Sequence, residues 1–441
     1  MPTQTGTEGK DTLFGTSEAD LIQALGGDDA VLDGAGADLI YAGAGNDMVL
    51  LSADGVSDTV LGGDGADSIL VYESAQASFA RNQVFAGEGN DTIDASTLMG
   101  KQGSTLSDTL AGGGGDDMVL GGTGNNQLYG GEGNDSIVDE GGADAIYAGL
   151  GADTVNSGAG ADLIFGGGGN DYIINDNYAA YASDTVFGGD GSDTIGGSFV
   201  FGGADDDYVM VVGQAGSDGQ GAGGIGNDTV ADGQGNDTLY GGDGNDYVYG
   251  IVGGADQIYA GAGNDTLIAD GGDTVFGAGG DDLFLILGAA QTYGGDGNDS
   301  ITVTKGSDAA LLNGGAGSDT LQGGGGADTL LGGADEVGDR MFGGAGGDKF
   351  FGRDLDTVTG DLDDADTGAD VFDFTAGNLA DSRLSVVTDF DTAEDKLVVI
   401  TAGNAVVSST SADGLLVDID GNGHWDVLLQ GVNSLSAADV I

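Results

Sequence analysis

Between Asp108 and Ile174 the chain reads DTLAGGGGDDMVLGGTGNNQLYGGEGNDSIVDEGGADAIYAGLGADTVNSGAGADLIFGGGGNDYII, one nine-residue phrase repeated eight times. The sixth place of each phrase holds Asp108, Asp117, Asn126, Asp135, Asp144, Asp153, Asp162 and Asp171. Two places further on stand Leu110, Val119, Leu128, Ile137, Ile146, Val155, Ile164 and Ile173, all aliphatic. A strict period of this kind marks stacked repeat units that share one core.

The phrase is clearest in GGEGNDSIV, residues 130–138, and GGDGNDYVY, residues 241–249. Its last three places suit a short strand whose middle, aliphatic residue points to one side and whose neighbours point to the other. The other six must turn the chain, and glycine at places one, two and four permits left-handed backbone angles without steric cost. Two phrases then make one coil, and coils stacked at about 4.8 Å per step give parallel strands on either side of a thin aliphatic core. Each sixth-place acid stands over the next, and such a ladder of like charges requires counter-ions at close range. Carboxylates and turn carbonyls form an all-oxygen donor set, which suits Ca²⁺ better than the smaller Mg²⁺.

Composition agrees. Glycine accounts for 94 of 441 residues, and 74 acids against 9 bases give a formal charge of −65. Roughly 20–30 divalent ions would offset much of that charge and satisfy the ladder. Nucleic acid and anionic membrane surfaces are poor partners because their phosphates would be repelled, and no stretch is apolar for long enough to insert in a membrane. There is no cysteine, so disulfides and thiolate sites are excluded. The start, residues 1–14, lacks the basic and apolar segments of a cleaved signal peptide, so export signalled from the other end is expected.

Taken in order, the phrases outside the central run place candidate metal ligands at Asp11, Asp20, Asp29, Asp38, Asp47, Asp58, Asp67 and Asp91 before it. After it come Asp184, Asp193, Asp207, Asp228, Asp237, Asp246, Asp256, Asp265, Asp273, Asp282, Asp299, Asp308, Asp319, Asp328, Asp339 and Asp348, with Asp370 as an outlying phrase. Interruptions fall at 72–85, 94–107, 175–182, 196–201 and 211–224. Several carry aromatics for which a thin coil core has no room, so they are expected to leave the coil as loops or to meet another copy of the protein. Past residue 352 glycine thins and ordinary strand alternation appears, which sets a boundary between a roll over 1–351 and a small β-rich cap over 352–441.

These residues resemble the RTX family, whose repeat is GGxGxDxUx. The resemblance covers most of residues 6–351 and implies an all-β, right-handed parallel β-roll, with calcium held between neighbouring turns by sixth-place aspartates and backbone carbonyls. The segment after 352, with VTDFD, DIDGNGHWDVLLQGV and the final ADVI, is similar to the C-terminal region of serralysin-type RTX proteins. That similarity implies export by type I secretion machinery, a secreted or cell-surface location, and no N-terminal signal. Asn126 in place of an acid, and the glycine-poor phrases at Gly15 and Leu106, depart from the pattern and weaken those sites.

Enzymatic motifs are missing from the inventory. A single histidine, His424, excludes HExxH zinc sites, and no GxSxG elbow occurs. DIDGNGHWD, residues 418–426, begins like an EF-hand loop, but Leu429 stands where the closing Glu is required, so a hairpin turn is expected. The reading favoured is a non-enzymatic structural protein that folds with Ca²⁺ and forms a homo-oligomer or polymer as a surface layer, filament or matrix. An adhesin is the second reading, a secreted enzyme the third and an ice-binding roll the last; place three shows no file of threonines, reading Glu88, Gly114, Thr123 and Glu132.

Overall fold

The computed structural model describes residues 1–52, 54–72, 81–96, 107–174, 184–212, 217–304, 306, 308–333, 335, 337–353, 355–360, 368–374, 384–398, 407–419, 424–436 and 438–441. They form an all-β solenoid in two compact units, Met1–Gln214 with Gln220–Gly224, and Ala215–Gly219 with Ile225–Ile441.

In the first unit each phrase yields one strand, and successive strands alternate between two parallel sheets. One sheet is built from long strands such as Thr109–Gly114, Gln127–Glu132, Ala145–Leu150 and Leu163–Gly168. The other is built from short ones, Met118–Leu120, Ser136–Val138, Thr154–Asn156 and Tyr172–Ile173. The long strands are long because places one to three of the following turn stay in the ladder, with Gly113 opposite Gly131 and Gly114 opposite Glu132. Register follows the aliphatic place: Leu110 pairs with Leu128, Ile146 and Ile164 in turn, and Val119 with Ile137, Val155 and Ile173. All eight side chains are buried. Each such aliphatic side chain contributes about 1.5–3 kcal/mol by leaving water. A one-residue slip would turn the whole row outward, so register is strongly specified.

The stretch 196–201 does not leave the coil. Thr194–Gly197 and Phe199–Ala204 are strands of the two sheets, joined through Ser198 alone, so that coil is shortened rather than interrupted. Gly197 permits the tight corner, since a Cβ there would come 3.0 Å from Val186. The aromatic residues are placed outside the core: Phe201 stacks on Phe187 with ring centroids 5.0 Å apart. Residues 73–80, 97–106, 175–182 and 213–216 of the other interruptions lie outside the described residues. The second half of 211–224 belongs to the strand Gln220–Ile225.

The second unit repeats the plan, with aromatics admitted to the core: Phe284, Phe350 and Phe372 are fully buried, and Phe350 and Phe372 stack at 5.1 Å. The change of composition at 352 does not break the pairing. Lys349–Phe351 pairs in parallel with Val371–Asp373 and that with Lys396–Val398, while Arg340–Gly344 leads to Thr357–Thr359 and Ser385–Val387. Strand alternation alone sustains these ladders, and glycine was needed only for the tight turns. Among the described residues antiparallel pairing begins with Val407–Thr410, Gly414–Asp418 and Val427–Gln430. Asp418 and Val427 thus flank a hairpin connection, as the missing closing Glu implied.

Candidate metal sites along the two edges

The turns define two edges with different chemistry. On the edge running from long to short strands, the first unit carries Asp29, Asp47, Asp67, Asp91, Asp117, Asp135, Asp153, Asp171, Asp193 and Asp207, all buried, with Asp11 half-buried at the end. The second unit carries Asp228, Asp246, Asp265, Asp282, Asp299, Asp319, Asp339 and Asp356 in the same role, also buried. On this edge the turns keep nearly one length, because no interruption falls in it up to Asp319.

Each acid is held the same way. Oδ1 accepts the backbone N–H of the ladder residue one coil earlier: Asp117 donates to Asp135 at 2.8 Å, Asp135 to Asp153 at 2.7 Å, and Asp153 to Asp171 at 2.9 Å. The chain Asp246, Asp265, Asp282, Asp299 and Asp319 repeats this at 2.7–2.9 Å. The other oxygen, Oδ2, is buried and receives no hydrogen bond from the protein at Asp47, Asp67, Asp91, Asp117, Asp135, Asp153, Asp171 and Asp193, nor at Asp246, Asp265, Asp282, Asp299 and Asp319. Burying one such oxygen unsatisfied costs about 1–3 kcal/mol, and more when charged, so a long row of them calls for cations.

Main-chain oxygens complete the donor set. A Cβ built at place one on Gly130 would stand 2.3 Å from Oδ2 of Asp135 and 2.4 Å from the carbonyl oxygen of Ala148, one coil later. At Gly188 the same two kinds of oxygen lie at 2.2 and 2.6 Å, and at Gly241 both at 2.4 Å. One carboxylate and one carbonyl thus converge in each turn, the hard-oxygen chemistry of Ca²⁺. Ala42, Ala86, Ala148 and Ala260 occupy place one elsewhere, so that place tolerates a methyl group. Place two is stricter: Gly131 has φ +129°, and a Cβ there would fall 1.9 Å from the carbonyl oxygen of Gly113. Ala278 at place two and Asp205 at place four keep the left-handed backbone, with φ 86° and 75°.

A second ladder runs beside the first and escaped the sequence reading. Place five is Asn or Asp in many phrases, and its Oδ1 accepts the backbone N–H of the next coil rather than the previous one. Asn134 accepts from Ala152 at 2.7 Å, Asn170 from Ser192 at 3.0 Å, and Asn245 from Asn264 at 2.8 Å. The recurring dipeptide ND carried this signal. Places five and six therefore fasten each turn to both of its neighbours.

Burial raises the proton affinity of the row. Desolvation, followed by neighbouring carboxylates, lifts Asp67, Asp117, Asp171, Asp246 and Asp282 to about 7, from an ordinary value of 3.8. Asp58 and Asp339 reach about 8 for the same reasons. Protons and cations compete for the same oxygens there.

On the opposite edge, from short to long strands, the first unit carries Asp20, Asp38, Asp58, Asn82, Asp108, Asn126, Asp144, Asp162 and Asp184, linked by rungs of 2.6–3.0 Å. The insertions of this unit, and the shortened corner at Ser198, fall between a short strand and the next long one, on this edge. In the second unit Asp237, Asp256 and Asp273 form one run, and Asp328, Asp348, Asp370 and Asp395 another. Between them the ladder place falls to Ala290 and Ala310; the N–H of Ala310 donates to Asp328 at 2.8 Å.

Asp308 is accordingly not a ladder residue. It is exposed, because the register is fixed by buried Leu312 and the ladder place stands two residues before that leucine. Counting nine from Asp299 misplaced it, since this turn is longer. Reading two places before a buried core residue in the same way identifies Asn82 before Val84, Asp356 before Val358, Asp370 before Phe372 and Asp395 before Leu397. The remaining sequence-derived acids all lie on one edge or the other.

A family model, the RTX calcium-binding nonapeptide repeat in four copies, matches residues 5–32, 27–55, 75–97, 102–137, 138–173, 222–250, 252–284, 293–310 and 306–336. These segments cover more than half of the chain. A search of curated proteins gave no match.

Proposed function

Because this chain belongs to the RTX calcium-binding nonapeptide-repeat family, we propose that it is a secreted structural protein that folds on meeting Ca²⁺ and then assembles with copies of itself at the cell surface. The observation that carries the reading is the row of buried carboxylate oxygens with no donor from the protein. Bound Ca²⁺ supplies positive charge to those oxygens. The sixth-place aspartates hold one oxygen rigid through the rung and offer the other, while the glycines keep the carbonyls close.

In a calcium-poor cytosol, the formal charge of −65 disfavours compaction and keeps the chain fit for passage through a type I secretion channel. Millimolar calcium outside then folds it, and the binding free energy is folding free energy. The roll itself, rather than a catalytic pocket, is the working part.

Assembly has a surface suited to it. The place after the aliphatic on the long-strand sheet faces outward and forms an aromatic column. Tyr129, Tyr147, Phe165, Phe187 and Phe201 stack at 5.0–5.1 Å in the first unit, and Tyr240, Tyr259, Phe276 and Tyr293 at 5.0–5.1 Å in the second. The faces of the inner rings are taken by their neighbours, so outer edges are left for a partner. Uncharged columns of this kind are where two acidic rolls can approach most closely. Sedimentation and electron microscopy with and without calcium test this, with ordered oligomers or filaments expected only with calcium. Monomers at high protein and saturating calcium would overturn the assembly reading and leave the calcium-binding roll standing.

A further inference from the structure

Most turns of the roll bring one carboxylate to each step, but the turn between Ala30–Leu32 and Leu39–Ala44 brings more. Asp33 occupies its first place, where the phrase ordinarily has glycine. We propose that Asp33, with Asp38 and Asp58, forms a three-carboxylate divalent-cation site, distinct from the single-carboxylate steps, that takes Ca²⁺ before the rest of the roll.

One carboxylate oxygen from each of the three residues lies within 4.8 Å of the others, and all three side chains are buried, each 2% exposed. Asp38 Oδ2 is fully enclosed and receives no hydrogen bond from the protein. The acids are fixed rather than free to swing apart. Asp33 accepts the N–H of Gly34 at 2.7 Å and that of Ser52, from the next coil, at 2.8 Å. Asp58 accepts the N–H of Asp38 at 2.9 Å. Three anionic groups held so near one another out of water repel strongly unless a cation stands among them. Calcium affinity rises with the number of charged ligands and with site rigidity; this turn has more carboxylates than its neighbours, each held by a backbone N–H.

A later turn shows the same extra acid handled differently. Asp139 also occupies place one, but Nδ2 of Asn126 donates to its Oδ1 at 3.0 Å. That acid has a side-chain amide donor, while burial and the facing Asp144 carboxylate still raise its proton affinity.

The test is calcium competition on the full chain against a chromophoric chelator. The wild type is expected to show one site at least about tenfold tighter than the bulk. Asp33→Gly restores the ordinary phrase, and Asp58→Asn keeps the ladder acceptor, as Asn82 and Asn126 already do; each is expected to abolish that one tight site. For Asp33→Gly, which lies outside the ladder, the bulk titration and the far-ultraviolet circular dichroism at saturating calcium should stay as in the wild type, and Asp139→Gly should leave the tight site in place. A wild type without a tight site, or a tight site surviving in whichever of the two variants folds, would overturn the proposal. Failure of the wild type to bind calcium at all would instead count against the roll reading itself.

Discussion

The backbone N–H of Asp135 donates to Oδ1 of Asp153 at 2.7 Å, eighteen residues along the chain, while Oδ2 of Asp153 is buried without a donor. One carboxylate therefore does two jobs, fastening a coil to the one before and presenting an oxygen to a cation. The two jobs can be separated by substitution.

Asp153→Asn keeps an acceptor for the Asp135 N–H and loses one cation ligand. The variant should fold at saturating calcium, with its folding midpoint moved to higher calcium concentration. Asp153→Ala also removes the rung and leaves a buried N–H unsatisfied, a further loss of about 1–3 kcal/mol. Denaturant titrations at fixed calcium, comparing the two variants, measure that difference.

Acidity should act in opposite directions on the calcium-free and calcium-loaded chain. Carboxyls such as Asp117 and Asp171 are raised from 3.8 to about 7 by burial, so the folded form binds more protons than the unfolded form between those values. Stability without calcium is thus greatest below the unfolded value and is lost as pH rises through 6 to 8. Calcium needs the ionised form, so its apparent affinity should climb over the same window. Circular dichroism in chelator across this range, and calcium midpoints at its two ends, check both signs.

Backbone strain predicts a pair of substitutions with opposite outcomes. Gly131→Ala puts a Cβ on a residue with φ +129° and against the Gly113 carbonyl, and should cost at least about 2 kcal/mol. Asp205→Gly relieves a non-glycine residue at φ 75° and should gain about 1 kcal/mol. Thermal or denaturant unfolding at saturating calcium reads both.

The aromatic column should affect association more than folding. Tyr147→Ser removes two stacked contacts, with Tyr129 and Phe165, each worth about 0.5–1.5 kcal/mol. The calcium midpoint should move little, whereas sedimentation at saturating calcium should shift toward monomer. Tyr147→Phe keeps the ring and should behave as wild type in both assays.

The period of the phrase made the coil, the aliphatic core and most ladder acids legible before any coordinates, because strand alternation and turn geometry leave one way to stack such a repeat. Less legible was anything that depends on which edge a turn belongs to. Asp117 and Asp144 occupy the same place in the phrase, yet one edge is regular and the other takes the interruptions. Asp308 was misplaced because arithmetic spacing ignores turn length, whereas distance from the buried Leu312 does not. The aromatics near 201 were expected to leave the coil because the core was weighed and the outer face was not; Phe201 stays on the strand and packs outside. The composition change at 352 was read as an end, but strands such as Val371–Asp373 continue the stack with few glycines.

The central claim is that the buried acid ladder cannot persist without cations. Circular dichroism of the full chain through a calcium titration, begun in chelator at neutral pH and low ionic strength, tests it most directly. The account predicts an unfolded spectrum in chelator and a cooperative rise of sheet signal as calcium is added. A sheet-rich, folded spectrum already present in chelator would contradict it.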